Sequence, residues 1–178
     1  MSERSVLRAS VPRRALLDSA CISCTPPEDD PNTFAVSNHW KLALHPDQTV
    51  PGSLLVVSLR HVPKISELTR AEAADFFTVA AAIERAMEDE LKASMVNFSC
   101  LRNWAFRSVD PSPPLVNGQP NPHVHWHVAP RFAGPVTIGE EVFVDSQFGD
   151  ELRWSSRYIA EPIRYELIQR LSRALAIA

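Results

Sequence analysis

The firmest periodicity in the chain lies behind Thr69-Arg70-Ala71-Glu72. Phe76, Val79, Ala80, Ile83, Met87 and Leu91 recur there at helical spacing, while Glu84, Arg85, Glu88 and Asp89 take the other side. Thr69 and Glu72 form a capping box, so the pattern predicts a long amphipathic helix from roughly residue 69 to 92. Elsewhere the period falls to two. Trp40–Leu44 alternates as a half-exposed strand, and Ser53–Leu59 (SLLVVSL) is apolar enough for a central one. The turn signals Pro46-Asp47 and Pro51-Gly52 between them predict a hairpin that ends at Arg60-His61-Val62-Pro63. Met95–Asn103 alternates again, with Val96, Phe98 and Cys100 on one face and Asn97, Ser99 and Asn103 on the other. In Asn121–Phe132, His123, His125 and His127 alternate with Val124, Trp126 and Val128, which sets three imidazoles opposite an apolar row.

Val142–Val144 reads as a short strand. Pro162 suits a first helical position, ahead of a terminal helix whose buried stripe is Ile163, Leu167, Ile168, Leu171 and Leu175. Thr25–Thr33 is a Pro- and Asp-rich loop, and Pro111–Pro122, with five prolines and Asn117-Gly118, is another that delivers the chain to the histidine strand. Adjacent strands joined by short turns favour an antiparallel sheet covered by helices over a doubly wound parallel one, so the expected fold class is α+β. One domain is expected over 1–178. Its decorations are an N-terminal arm at 1–20, a Pro-rich insertion at 104–122 and a C-terminal extension at 133–178.

A chain of 178 residues that is 45% hydrophobic can bury one core. Its net charge of −3, without a run of Lys or Arg, argues against nucleic acid as a partner. A nucleotide, if one binds, is then a small molecule. No apolar run is long enough for a signal peptide or a membrane span, so the expectation is a soluble cytoplasmic protein with no membrane partner. Three cysteines make a poor disulfide framework in a reducing compartment. Cys100 reads as a small buried hydrophobe.

Half of the six histidines fall within five residues, on a strand whose opposite face is Val, Trp, Val. Two uses suit such a row. Neutral imidazoles can ligate a metal, and an imidazole nitrogen can attack an electrophile while its neighbours fix its tautomer. Phosphorus is a fitting electrophile, because a pKa near neutrality leaves imidazole able both to attack and to depart from a phosphoramidate. Cys21-Ile-Ser-Cys24 is half of a zinc site, a redox dithiol or a pair of ordinary thiols; His61 and His123 are the natural candidates for two further ligands.

The run His123-Val-His-Trp-His-Val-Ala129, followed by Pro130-Arg131, resembles the signature of the histidine triad (HIT) family. Pro51-Gly52 leading through an apolar strand to Arg60-His61-Val62 is similar to that family's second landmark. Asn97 and Asn103 look like the Asn-bearing strand of the subgroup with a Trp inside the triad. The resemblance covers roughly Cys21 to Arg131. It implies an α+β fold with a five-stranded antiparallel sheet, a long helix and a C-terminal helix, often paired as a homodimer. It also implies nucleotide hydrolase or nucleotidyl transferase activity at the α-phosphate of a phosphoanhydride or phosphoramidate, for example a diadenosine polyphosphate. By that analogy His125 is the nucleophile, His127 contacts the phosphate or leaving group, and Asn103 holds a phosphate oxygen. A structural zinc would take Cys21, Cys24, His61 and His123.

The chain departs from the pattern in three places. Ser53 stands where many members have a His after Pro-Gly. The ribose-contacting acidic or amide position falls on His45, which leaves Asp47 or Gln48 to take that role, with Asn97 nearby as a further substrate contact. Nineteen residues separate Asn103 from His123, and that loop places Gln119 where other members carry a phosphate-reaching Gln. The alternative is a catalytically silent nucleotide-binding or zinc-containing interaction protein.

Overall fold

The structure, a computed structural model, describes residues 21–176. The expected arm at 1–20 lies outside them. Five strands, β1 (Thr33–Val36), β2 (Trp40–Leu44), β3 (Leu54–Ser58), β4 (Met95–Ser99) and β5 (His125–Arg131), form one antiparallel sheet in the order β1-β2-β3-β5-β4. Helix α1 (Arg70–Leu91) crosses one face, and α2 (Glu161–Ala176) packs on α1 and β1. This is the α+β architecture expected. Among the described residues no helix is long and apolar enough to cross a membrane.

Register explains which face meets the helix. Leu44, Leu54, Val128 and Phe98 stand side by side across β2, β3, β5 and β4, as do Leu42, Val56 and Trp126. They pack on the stripe Phe76, Val79, Ile83, Met87 and Leu91 of α1, with Trp126 stacked on Phe76 at 4.5 Å. The helix begins where its capping box lies. Thr69 Oγ1 accepts the Glu72 N–H at 3.2 Å and Glu72 accepts the Thr69 N–H at 2.7 Å, an arrangement worth about 1 kcal/mol. Glu72 also takes Arg60 in a two-pronged ion pair at 2.8 Å, and its carbonyl accepts the Trp40 indole N–H at 2.9 Å. The Pro51-Gly52 turn closes against the far end of α1. Gly52 has φ +87°, and a Cβ there would press on a Leu91 methyl, so a side chain is strained by conformation and would have to displace Leu91.

Several local expectations change. β2 is buried along its whole length, not half-exposed, because the loop after Cys24 folds over its outer face. Lys41 there is 3% exposed and donates to the Thr25 carbonyl at 2.8 Å and to Asp30 at 3.4 Å. The fifth strand of the sheet is β1, which begins at Thr33 inside the stretch read as loop. The strand at Val142–Val144 is instead β7 (Glu141–Phe143), paired with β6 (Val136–Ile138) in a separate hairpin. β4 stops at Ser99, so Asn103 starts a 3-10 turn at Asn103–Phe106 and is not on the strand with Asn97. α2 begins one residue before Pro162, with Ile163, Leu167, Leu171 and Leu175 buried as predicted.

The C-terminal segment is tied to the sheet through Arg131. That guanidinium is buried, pairs with Asp145 at 2.7 and 3.1 Å, and donates to the carbonyls of Asp150, at 2.9 Å, and Gln147. Asp145 also accepts the Phe132 and Gln147 backbone N–H groups, so both charges are fully hydrogen-bonded.

Candidate active site and metal centre

The face of the sheet opposite α1 carries the chemistry. Leu55 stands beside His127 and Val57 beside His125, with Ser99 of β4 on the other flank of His127. Ala43 pairs with Leu55, so His45, two residues beyond Ala43, falls on this same face. It comes to 5.3 Å from His127, ring centre to ring centre. A third imidazole therefore joins His125 and His127, and it comes from the residue that follows β2.

Hydrogen bonds assign the His125 tautomer. Its Nδ1 is 2.8 Å from the His123 carbonyl, which can only accept, so Nδ1 carries the proton and Nε2 is left with a lone pair. That Nε2 is 3.2 Å from Nε2 of His127, whose N–H therefore donates to it. Nδ1 of His127 is buried with no hydrogen-bond partner among the described residues. Burial, and then the neighbouring His125 and His45, push His127 down to about 3. His125 is lowered by burial foremost, and His45 likewise. Neutral imidazoles packed this way offer a nucleophilic nitrogen and an adjacent N–H donor.

His123 belongs to a second cluster. It lies just before β5, is buried, and donates from Nε2 to the Ser58 carbonyl at 2.8 Å, which leaves the Nδ1 lone pair free for a metal. That Nδ1 is 3.4 Å from Cys21 Sγ and 3.5 Å from Cys24 Sγ, and His61 Nδ1 is 3.3 Å from Cys24 Sγ. The four donor atoms lie within 4.8 Å of one another. Tetrahedral zinc, with bonds of about 2.3 Å to sulfur and 2.0–2.1 Å to nitrogen, needs S···N separations of about 3.5 Å. The donor set fits that ion, since two thiolates and two neutral imidazoles balance a dication. The Cys24 sulfur and burial push the Cys21 thiol above its ordinary value.

The remaining residues singled out in the sequence are scattered. Asp47 and Gln48 are buried in the β2–β3 turn. Gln48 donates to the His45 and Ser53 carbonyls and accepts the Gly52 N–H, and Asp47 accepts from Thr49, Ser156 and Arg157. Their hydrogen-bonding capacity therefore goes to the turn and to the C-terminal segment. Asn97 accepts from Arg131 at 3.5 Å, two positions along the sheet from His127. Asn103 is exposed, and its side chain makes no hydrogen bond among the described residues. Gln119 is exposed, and its backbone closes a tight turn with Val116. Two residues beside this cluster, Arg102 and Trp154, were not singled out, and Cys100 was read only as a small buried hydrophobe. Arg102 acts electrostatically on His125 and donates to the Pro63 carbonyl at 2.5 Å; the Cys100 sulfur accepts the His125 backbone N–H; and Trp154 stacks on His45. No local signal in the sequence marks Trp154, whose place depends on contacts more than a hundred residues away.

Known proteins resemble this arrangement. Over 116 residues the chain is 29% identical to a bis(5′-nucleosyl)-tetraphosphatase (asymmetrical) of Schizosaccharomyces pombe, covering 65% of this chain and 57% of that protein. Over 83 residues, 47% of this chain, it is 34% identical to the nitrilase and fragile histidine triad fusion protein NitFhit of Caenorhabditis elegans, of which it spans 16%. The chain thus spans less than two thirds of the length of either relative. Its fold is similar to a zinc-bound histidine triad family protein from Mycobacterium smegmatis, with TM-score 0.59, 22% identity and coverage of 88% of this chain and 94% of that one. It is also similar to a hypothetical histidine triad nucleotide-binding protein from Sulfolobus tokodaii, with TM-score 0.61, 13% identity and coverage of 87% and 91%. Residues 27–134, more than half of the sequence and inclusive of the triad and α1, match the HIT domain, and the chain belongs to the histidine triad (HIT) family.

Proposed function

We propose that this protein is a nucleotide hydrolase or nucleotidyl transferase acting at the α-phosphate of a nucleoside phosphoanhydride or phosphoramidate, with His125 as its nucleophile. The observation that carries the reading is the His125 tautomer, whose Nδ1–H is spent on the His123 carbonyl while Nε2 keeps the lone pair that accepts the His127 N–H. A relative named as a tetraphosphatase supports the reaction class.

His125 Nε2 attacks the α-phosphorus as the bond to the leaving group breaks, forming a P–N bond. The His127 N–H turns from His125 to a phosphate or leaving-group oxygen. Water, or another acceptor, then displaces the histidine, and the P–N electron pair returns to Nε2. Holding the reactants in line and stabilising the phosphoryl oxygens carries most of such a transfer. Asn103 and Gln119, both exposed, supply further phosphate contacts once substrate is bound.

Cys21, Cys24, His61 and His123 would hold a structural zinc, whose chemistry is to lock the chain ahead of β5. The His123 carbonyl that sets the nucleophile's tautomer would thereby be held in place, with no direct role for the metal at phosphorus.

The test is to trap the intermediate. Rapid quenching with an α-32P-labelled dinucleoside polyphosphate, a phosphoramidate or an adenylyl sulfate should leave label on His125, acid-labile and base-stable as a phosphoramidate is. Turnover of all three substrate types by His125→Ala would overturn the assignment. Nucleotide binding without any turnover by the wild type would make the chain a silent binding protein.

A further inference from the structure

We propose that Trp154 is the surface on which the base of the nucleotide stacks. This rests on the nucleotide reading above. Trp154 lies in the C-terminal extension, beyond the residues that match the family domain, and is nonetheless brought to the triad's face. Its indole stacks on His45 with centroids 4.5 Å apart and planes 19° from parallel, and its centre is 6.1 Å from that of His127.

The segment around Trp154 is irregular but firmly held. The Asp47 carboxylate accepts the N–H groups of Ser156 at 2.8 Å and Arg157 at 3.1 Å, and the Gln48 N–H donates to the Arg157 carbonyl at 2.7 Å. Thr49 Oγ1 accepts the Ser155 N–H at 2.8 Å and lies 2.9 Å from the Ser155 hydroxyl. On the far side the Arg157 guanidinium sits 3.8 Å above the Phe143 ring and pairs with Glu141. Residues of the β2–β3 turn and of β7 thus pin the backbone that presents the indole. Two of them are the residues that sequence pattern would have sent to a ribose.

The half-buried indole packs against the edge of the core, yet part of it stays exposed on a polar and constrained segment. It does offer a rigid planar surface one ring away from the imidazole that faces the transferred phosphate. A purine or pyrimidine stacking on the exposed part of the indole extends an aromatic pile already begun with His45. Such stacking tolerates different bases, because every base has a π-face. The inference therefore also assigns weak base selectivity to the site.

Calorimetric titration of the full chain with AMP and with ribose 5-phosphate, which is AMP without its base, separates stacking from support of the phosphate site. Trp154→Ala and Trp154→Leu are expected to weaken AMP binding about tenfold and to leave ribose 5-phosphate binding unchanged, while Trp154→Phe keeps most of the AMP affinity. Trp154→Leu retains apolar bulk without an aromatic face. Photolabelling of the wild type with 8-azido-AMP, which needs no substitution, should tag the peptide that contains Trp154. Equal losses for both ligands, no loss for either, or labelling confined to other peptides would overturn the inference while the nucleotide reading stands. A wild type that binds neither ligand would overturn both.

Discussion

The backbone carbonyl of His123 accepts the Nδ1–H of His125 at 2.8 Å, while the His123 ring faces Cys21 and Cys24 at 3.4 and 3.5 Å. One residue thus takes part in the metal-fitting cluster with its side chain and sets the tautomer of the neighbouring imidazole with its main chain. The two clusters share no donor atom, but a displacement of His123 moves both.

If His125 is the nucleophile, His125→Ala should lower kcat by about three orders of magnitude or more and leave the Kd for AMP within a few-fold. Steady-state kinetics paired with equilibrium binding checks this. A parallel loss of affinity would mean that the imidazole serves binding rather than attack.

The purified protein should carry about one zinc per chain, lost in Cys21→Ser, with a lower Tm that added zinc does not restore. Because His123 belongs to both clusters, the same variant should also lose turnover. Elemental analysis, a thermal scan and an activity assay measure the three effects. A metal-free wild type with full activity would detach the cluster from catalysis.

Asp145→Ala should be among the most damaging changes outside the histidines. It leaves the buried Arg131 guanidinium without its counter-ion, which costs about 3–5 kcal/mol in comparable buried pairs. Replacing both partners with apolar residues should cost much less, since the pair's own desolvation offsets most of its attraction. Urea denaturation of the single and double variants gives the comparison.

Glu72 gives the fold a defined acid sensitivity. Its hydrogen bonds to Arg60 foremost, and then to Thr69, hold the carboxyl down to about 2 from an ordinary 4.5. The unfolded chain therefore binds this proton more readily than the folded one. The stabilisation is present above pH 4.5 and disappears as pH falls toward about 2. Because the Arg60 side chain is 39% exposed, the contribution at neutral pH is about 1–2 kcal/mol rather than the full value of the shift. Glu72→Gln keeps the capping box and removes the charge. Its stability deficit against wild type should be constant from pH 7 to 5 and vanish near pH 2; an unchanged deficit at acid pH would show that the ion pair is not its source.

The elements whose information is local could be read in the chain itself. The α1 stripe and its Thr69/Glu72 box, the β2–β3 hairpin and the alternation of His125 and His127 with Trp126 and Val128 all follow from spacings of two to four residues. Helical and strand periods convert such spacings directly into faces. The Cys21/Cys24 pair with His61 and His123 was also legible, through its likeness to a known pattern and not through any periodicity.

What lay beyond the sequence was decided by contacts across long stretches of chain. A strand's period does not say whether both its faces are covered, so only the loop laid over Lys41 made β2 fully buried. Four residues at Thr33–Val36 carry too short a pattern to announce an edge strand, and only pairing with β2 made them one. Asp47 and Gln48 carry the polar groups a ribose would want, yet the turn and the C-terminal segment take up those groups first. His45 and Trp154, more than a hundred residues apart, meet beside His127 because Asp47 and Thr49 capture the backbone at Ser155–Arg157. Hydrogen-bond partners at such separations leave no periodic trace in a sequence, so side-chain type there states what a residue can bond, and tertiary structure chooses the partner.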